Sequence, residues 1–241
     1  MIVLDVETTG TNPYKHSIIS IGAIDTIKFL DRAKEPIFYG ECRIRQNSEI
    51  EEEVDEKTGS KRYPALEING FTESQVRYGN KESHEELIRR FKFWLNTSQN
   101  RTLCGENIAF DINFLREALL SSGHDKKSVY QLIGIRGLDI HTTSYDNHEK
   151  NNLKIPMKHE RSALSLDETL KYVGLPSEPK PHNALIGAIL EAEARWRLIY
   201  GTPLFNDRAE LQKIIPNNFP KKRLNDIPNF KSHPIPDYLQ R

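Results

Sequence analysis

The spacing of apolar positions changes several times along this chain, and each change marks an element. Ile2, Val3 and Leu4 form a short apolar run rich in β-branched residues and bounded by Gly10, so residues 1–10 read as a buried strand. Residues 16–26 and 36–45 carry Ile, Tyr and Phe between turn residues, and their short connections favour an antiparallel meander of three strands. Residues 46–64 run acidic and then basic around Thr58-Gly59-Ser60 and read as a polar excursion. Apolar character returns over residues 65–71, just before Thr72, a residue suited to cap a short helix. Over residues 81–96 the period becomes helical, with Leu87, Ile88, Phe91, Trp94 and Leu95 on one face. Residues 101–105 read as a short strand. Residues 111–122 read as a helix that turns Ile112, Leu115, Ala118 and Leu119 inward and stops at Gly123. A further strand is expected over residues 135–141, then a long polar loop to residue 161. Ser165 and Glu168 have the spacing of a capping box, opening a helix to about Tyr172 that Gly174 ends. Residues 179–181 form a stiff lead into a long helix over residues 183–200. A meander followed by alternating helix and strand predicts the α/β class, a mixed sheet with helices on its faces.

A length of 241 residues suits one large domain or a domain plus an extension. The division expected is a domain over residues 1–200 and a Pro-rich extension over 201–241. That extension includes Pro220-Lys221-Lys222-Arg223 and reads as an arm that wraps the domain, engages a protein partner or stays mobile. Lys plus Arg and Asp plus Glu both number 34, so net charge neither implies nor excludes a polyanionic partner. Any basic surface must be local; Lys126, Lys127, Lys158 and Arg161 are candidate phosphate contacts, or simply solvated. Cys42 and Cys104 are too few for a disulfide framework and read as buried thiols of a reducing compartment. No apolar run reaches membrane-spanning length and the first strand starts at residue 2, so a cytoplasmic protein without membrane association is expected.

Strand alternation sends Asp5, Glu7 and Thr9 to one side and Leu4, Val6 and Thr8 to the other. Two carboxylates beside apolar neighbours raise each other's pKa unless a cation neutralises them, and a hard divalent ion is the natural one. The alternative is an exposed strand end with two solvated acids. Asp111 follows a strand and a turn, where it serves either as a third carboxylate or as a capping acid favoured by the helix dipole. His182 stands just before the last long helix, at the surface or in a site. Phe71 and Phe114 are candidates to stack on a base, or core residues.

Taken in order, these segments resemble one family. Asp5-Val6-Glu7-Thr8-Thr9-Gly10 is similar to the first motif of the DEDD-class 3′–5′ exonucleases with a catalytic histidine, the family of the DNA polymerase III epsilon subunit and ribonuclease T. Asn107-Ile108-Ala109-Phe110-Asp111 resembles the second motif, and His182-Asn183-Ala184-Leu185 the start of the third. Residues 65–72 (ALEINGFT) are similar to the stretch lining the nucleotide pocket between them. The resemblance implies an RNase H-like fold with a five-stranded mixed sheet, and a substrate of single-stranded nucleic-acid 3′ ends. It also implies two Mg²⁺ or Mn²⁺ ions held by Asp5, Glu7 and Asp111, with His182 as general base. Glu7 would also contact the terminal 3′-hydroxyl, while Thr8, Thr9, Gly10, Asn69 and Phe71 would position the terminal nucleotide.

In one place the chain departs from the pattern. The family's fourth carboxylate stands five residues after the histidine, where this sequence has Gly187. Glycine inside a helix costs about 1 kcal/mol relative to alanine, and the sequence offers no packing gain in return. The expectation is a weakened metal site, and so an impaired exonuclease or an inactive module that binds 3′ ends. Glu191, one turn further on, either reaches back to the metal or lies in solvent paired with Arg195 at i+4.

Overall fold

A computed structural model describes residues 1–206, 208–215, 217 and 219. In chain order its elements begin with β1 (Ile2–Thr8), β2 (Ile18–Asp25), α1 (Thr26–Leu30), β3 (Ile37–Glu41), β4 (Glu53–Val54) and β5 (Lys61–Arg62). Then come α2 (Pro64–Asn69), α3 (Glu73–Tyr78), α4 (His84–Asn96), β6 (Leu103–Gly105), α5 (Ile108–Ser121), α6 (Lys126–Ile133) and β7 (Leu138–Asp139). The series ends with α7 (Ile140–Lys150), β8 (Met157–Lys158), β9 (Arg161–Ser162), α8 (Leu166–Tyr172), α9 (Ala184–Tyr200) and α10 (Arg208–Ile214).

Five strands form one sheet in the order β3-β2-β1-β6-β7. The first three are the antiparallel meander, whereas β6 and β7 run parallel to β1, so the sheet is mixed as the element order predicts. Strand β1 is central and covered on both faces. Its Ile2, Leu4 and Val6 pack with Leu87, Ile88, Phe91, Trp94 and Leu95 of α4 and with the inner face of α5. Its Val3 joins the opposite cluster, built from α8 and α9. By the two-residue alternation Asp5 and Glu7 share the face of Val3, beneath α9. The helix can lie close there because Gly22, the β2 partner of Asp5, has no side chain: a Cβ on it would stand 2.1 Å from the Ala184 backbone.

Several local expectations match the structure. Thr72 caps α3 in a full capping box with Gln75, and the Ser165 hydroxyl accepts the Glu168 N–H at the start of α8. Asn183 caps α9, its side chain accepting from Leu185 and Ile186 N–H groups at 3.1 and 3.3 Å. Cys42 and Cys104 are free, buried thiols. The polar excursion is the exposed β4–β5 hairpin, though Ser48 and Ile50 before it are buried.

Other expectations are corrected. The strand expected over residues 135–141 shortens to Leu138–Asp139, and the loop after it begins as α7 and contains the β8–β9 hairpin. Helix α6 had no counterpart in the sequence pattern. Helix α5 starts three residues earlier than expected. In the extension, Leu204, Phe205, Leu211, Ile215 and Phe219 are buried in the α8–α9 cluster, with Phe205 edge-on to Phe29 and Phe219 to Tyr39. This part of the arm therefore lies against the domain; the basic run over residues 220–223 is outside the described residues. Among the described residues no helix is long and apolar enough to cross a membrane.

Candidate active site

Three elements meet over the C-terminal half of β1. Pairing with β6 ends at Val3 and Cys104, which leaves the next backbone donor on that edge without a strand partner. Asp111 of α5 takes it, its Oδ1 accepting the Val6 N–H at 3.0 Å. The position that would cap α5 belongs to Asn107, in the left-handed region at φ 51°. Asp111 is therefore a buried acid aimed at β1 and not the cap of its own helix.

From the other side comes the start of α9. The Asn183 amide donates to Tyr39 Oη at 3.0 Å, and the His182 N–H donates to the Ile68 carbonyl of α2 at 2.9 Å. His182 is thereby held between α2 and α9, with about a third of its side chain exposed. One turn into α9, a Cβ on Gly187 would stand 2.1 Å from Asp5 Oδ2, 3.0 Å from Asp5 Cγ and 3.4 Å from Glu178 Oε1. Here the structure corrects the sequence-based view that the glycine gains nothing in packing. The space a side chain would need holds the carboxylate of Asp5.

Two further carboxylates border this point. Glu191 is 4% exposed and has no ion pair with Arg195 among the described residues: its Oε2 is buried without a partner, beside Gly105. The solvated role weighed for it is overturned. Glu178 lies in the segment between α8 and α9, a position with no helical or strand period to signal it. Its Oε1 is buried without a partner, while Oε2 lies 3.5 Å from His182 Nδ1. An acid four residues before a histidine was the one trace of it in the sequence.

The expected trio of Asp5, Glu7 and Asp111 is thus divided between two neighbouring groups. Ligand atoms of Glu7, Glu178 and His182 all lie within 4.8 Å of one another. Asp5, Asp111 and Glu191 form the deeper group and feel one another's charge. Asp5 and Glu178 border position 187 together and join the two.

Burial pushes the Asp5 carboxyl up to about 7, and burial together with the nearby Asp5 charge pushes Glu178 up to about 8. Asp111 is raised by burial and then by Asp5, Glu191 by burial and then by Asp5 and Asp111. Burial, with Lys180 adding to it, lowers the pKa of His182, which favours its neutral form. Among the described residues no lysine or arginine pairs with Asp5, Asp111, Glu178 or Glu191, and two of their oxygens are orphaned. Oxygen donors with one imidazole, unneutralised by protein cations, suit hard divalent ions such as Mg²⁺ or Mn²⁺.

The residues expected to position a nucleotide are engaged as follows. The Thr8 hydroxyl donates to the Gly10 carbonyl at 2.7 Å, and the Thr8 carbonyl accepts from Asn69 Nδ2 at 3.1 Å. The Thr9 hydroxyl donates to the Glu49 carbonyl at 2.7 Å and accepts the Ser17 N–H at 3.0 Å, so it fastens loops together. Phe71 packs against the small cluster of Ile19, Ile50, Leu66 and Val76, with the Lys81 ammonium 3.8 Å above its ring. Phe114 is core. Beside His182 runs an open groove whose lining includes Arg62, Ile68, Asp167 and Lys180. Lys126 and Lys127 open α6, while Lys158 and Arg161 lie exposed on the β8–β9 hairpin.

Comparison with known proteins adds the following. A family model described as Exonuclease matches residues 2–188. Escherichia coli exonuclease I in complex with a dT13 oligonucleotide aligns with a TM-score of 0.60 at 16% identity, covering 89% of this chain and 46% of that one. A product-bound structure of exonuclease I also aligns at 0.60 and 16%, covering 89% of this chain and 48% of that one. The zinc-bound form of the E. coli exonuclease I complex with single-stranded DNA gives 0.59 and 16%, covering 89% and 45%. The likeness establishes a common RNase H-like fold, and this chain spans less than half the length of those chains. Among curated proteins none matches. With the model match running from β1 into α9, through every motif described above, the chain belongs to the exonuclease family of the DEDD 3′–5′ type.

Proposed function

We propose that this chain is a divalent-metal-dependent 3′–5′ exonuclease that removes nucleotides from the 3′ end of single-stranded DNA. The observation that carries it is the convergence of Asp5, Glu7, Asp111, Glu178 and Glu191, from four distant stretches of chain, beside a half-buried histidine. The oligonucleotide in the E. coli exonuclease I complex supports the choice of substrate.

Each residue has a task that follows from its surroundings. Asp5, Glu7 and Asp111 would hold the ions, with Asp111 fixed in place by the Val6 N–H. Divalent ions held there would supply a lowered pKa for a bound water and charge stabilisation for the oxygens of a phosphodiester. His182, which burial biases towards its neutral form and which opens to the groove, would take the proton of the attacking water. Arg62 and Lys180 along the groove would meet the phosphates of the strand.

The test is a 5′-labelled single-stranded oligonucleotide incubated with Mg²⁺ or Mn²⁺. Stepwise shortening from the 3′ end is expected, with Asp5→Asn and His182→Asn each slower by roughly 100-fold or more. A glycine where the family has its fourth carboxylate favours a second function, a module that holds 3′ ends without cutting. Tight binding with no shortening in either metal would select it.

A further inference from the structure

We infer that Glu178 supplies the carboxylate which α9 lacks at position 187, so that the metal site of this chain is completed from the segment between α8 and α9. The inference rests on the metal-dependent function proposed above. Three observations meet at one point. The Glu178 Oε1 lies 3.4 Å from where a side chain at 187 would begin. That oxygen is buried without a hydrogen-bond partner, on a side chain only 9% exposed. And the ligand atoms of Glu178, Glu7 and His182 fall within 4.8 Å of one another, the compass of a single coordination sphere.

An orphaned, buried carboxylate oxygen is costly unless something binds it, and the neighbours of this one are other carboxylates and an imidazole. A cation is the partner such surroundings lack. The glycine is the complement of this arrangement: with no side chain on α9, the Asp5 carboxylate occupies the space at 187 and Glu178 borders it. Glu191 is a weaker claimant for that role. It lies deeper, its Oε2 3.3 Å from where a side chain at Gly105 would begin and not at position 187.

Mn²⁺ titration by calorimetry and electron paramagnetic resonance, on the full chain, tests this without any turnover. Glu178→Gln should melt without metal at or above the wild-type temperature, lose roughly 10–100-fold in Mn²⁺ affinity at one site, and lose most of its Mn²⁺-induced rise in melting temperature. Glu178→Ala serves as a second variant should the amide fail to fold. Wild-type Mn²⁺ affinity in both variants would overturn the inference, whether cleavage is unchanged or shifts only in its pH profile; the latter would make Glu178 a positioning residue for His182. Loss of Mn²⁺ affinity in Glu191→Gln but not in Glu178→Gln would overturn it too, as would a wild-type chain that binds no Mn²⁺. A wild type that binds Mn²⁺ yet shortens no oligonucleotide contradicts the proposed exonuclease, and the titration still decides the role of Glu178.

Discussion

Adding one methyl group at position 187 sets two effects against each other. Alanine is favoured over glycine in a helix interior by about 1 kcal/mol, so at an open site Gly187→Ala would stabilise α9. Here the new Cβ falls 2.1 Å from Asp5 Oδ2, where ordinary contact begins near 3.4 Å. The carboxylate would have to retreat by more than ~1 Å towards Glu178 or Asp111, groups that already resist its charge. Overpacking of this kind costs about 1–3 kcal/mol, leaving a net loss of about 0–2 kcal/mol. For a chain of this length each kcal/mol moves the melting temperature by roughly 2–4 °C, so scanning fluorimetry should show a fall of up to about 8 °C. Activity is the more sensitive readout, since displacing a reacting group by ~1 Å can cost about 100-fold. Gly187→Asp, which restores the family's residue, should likewise lower turnover on a labelled oligonucleotide. A higher melting temperature with full activity in Gly187→Ala, or faster cleavage by Gly187→Asp, would refute the idea that Asp5 requires this space.

Metal-free stability should fall as pH rises. The Asp5 and Glu178 carboxyls titrate near 7 and 8 in the folded chain, above their ordinary values of 3.8 and 4.5, so the folded state holds more protons between about pH 4 and 8 and loses its advantage across that window. Mn²⁺ should therefore raise the melting temperature more at pH 8 than at pH 5; an increment that is flat or reversed would contradict this. Gly22→Ala pushes a Cβ against the Ala184 backbone and should lose about 1–3 kcal/mol or more in urea, displacing His182 with it. Wild-type stability in that variant would mean that α9 has room to move. Arg197 and Glu193 form a fully buried pair at 2.7 Å, and Glu193 Oε2 also accepts the Leu204 and Phe205 N–H groups. Arg197→Ala should cost about 3–5 kcal/mol in chemical unfolding and loosen residues 201–206; a loss under about 1 kcal/mol would speak against the buried charge.

Where burial follows hydrophobic period, the sequence was legible. The α4 stripe from Leu87 to Leu95 and the apolar run of β1 announce two sides of one core, and the motif order fixes which strand carries the acids. Helix α7 escapes for a physical reason: its buried positions are Ile140, Ser144 and His148, and polar contacts hold it, with Thr169 donating to Ser144 and the His148 ring tilted against Tyr172. No apolar stripe exists there to be read. Helix α6 has its three buried apolar residues within eight, too short a window for periodicity to declare itself. At the site, Asp5, Glu7, Asp111 and His182 were visible through their motifs. Glu178 lies outside any repeating element, and only the tertiary placement of its segment brings it to position 187. Glu191 was visible on the helical face, but its burial depends on how α9 seats on Gly22 and Gly105, which spacing alone does not carry.

Anomalous diffraction from crystals soaked in Mn²⁺ with a single-stranded oligonucleotide tests the central claim most directly. The expected result is Mn²⁺ bound among Asp5, Glu7, Asp111 and Glu178, with the 3′-terminal phosphate beside it and His182 facing the water on that phosphate. Mn²⁺ absent from these carboxylates, or the 3′ end seated elsewhere, would contradict it.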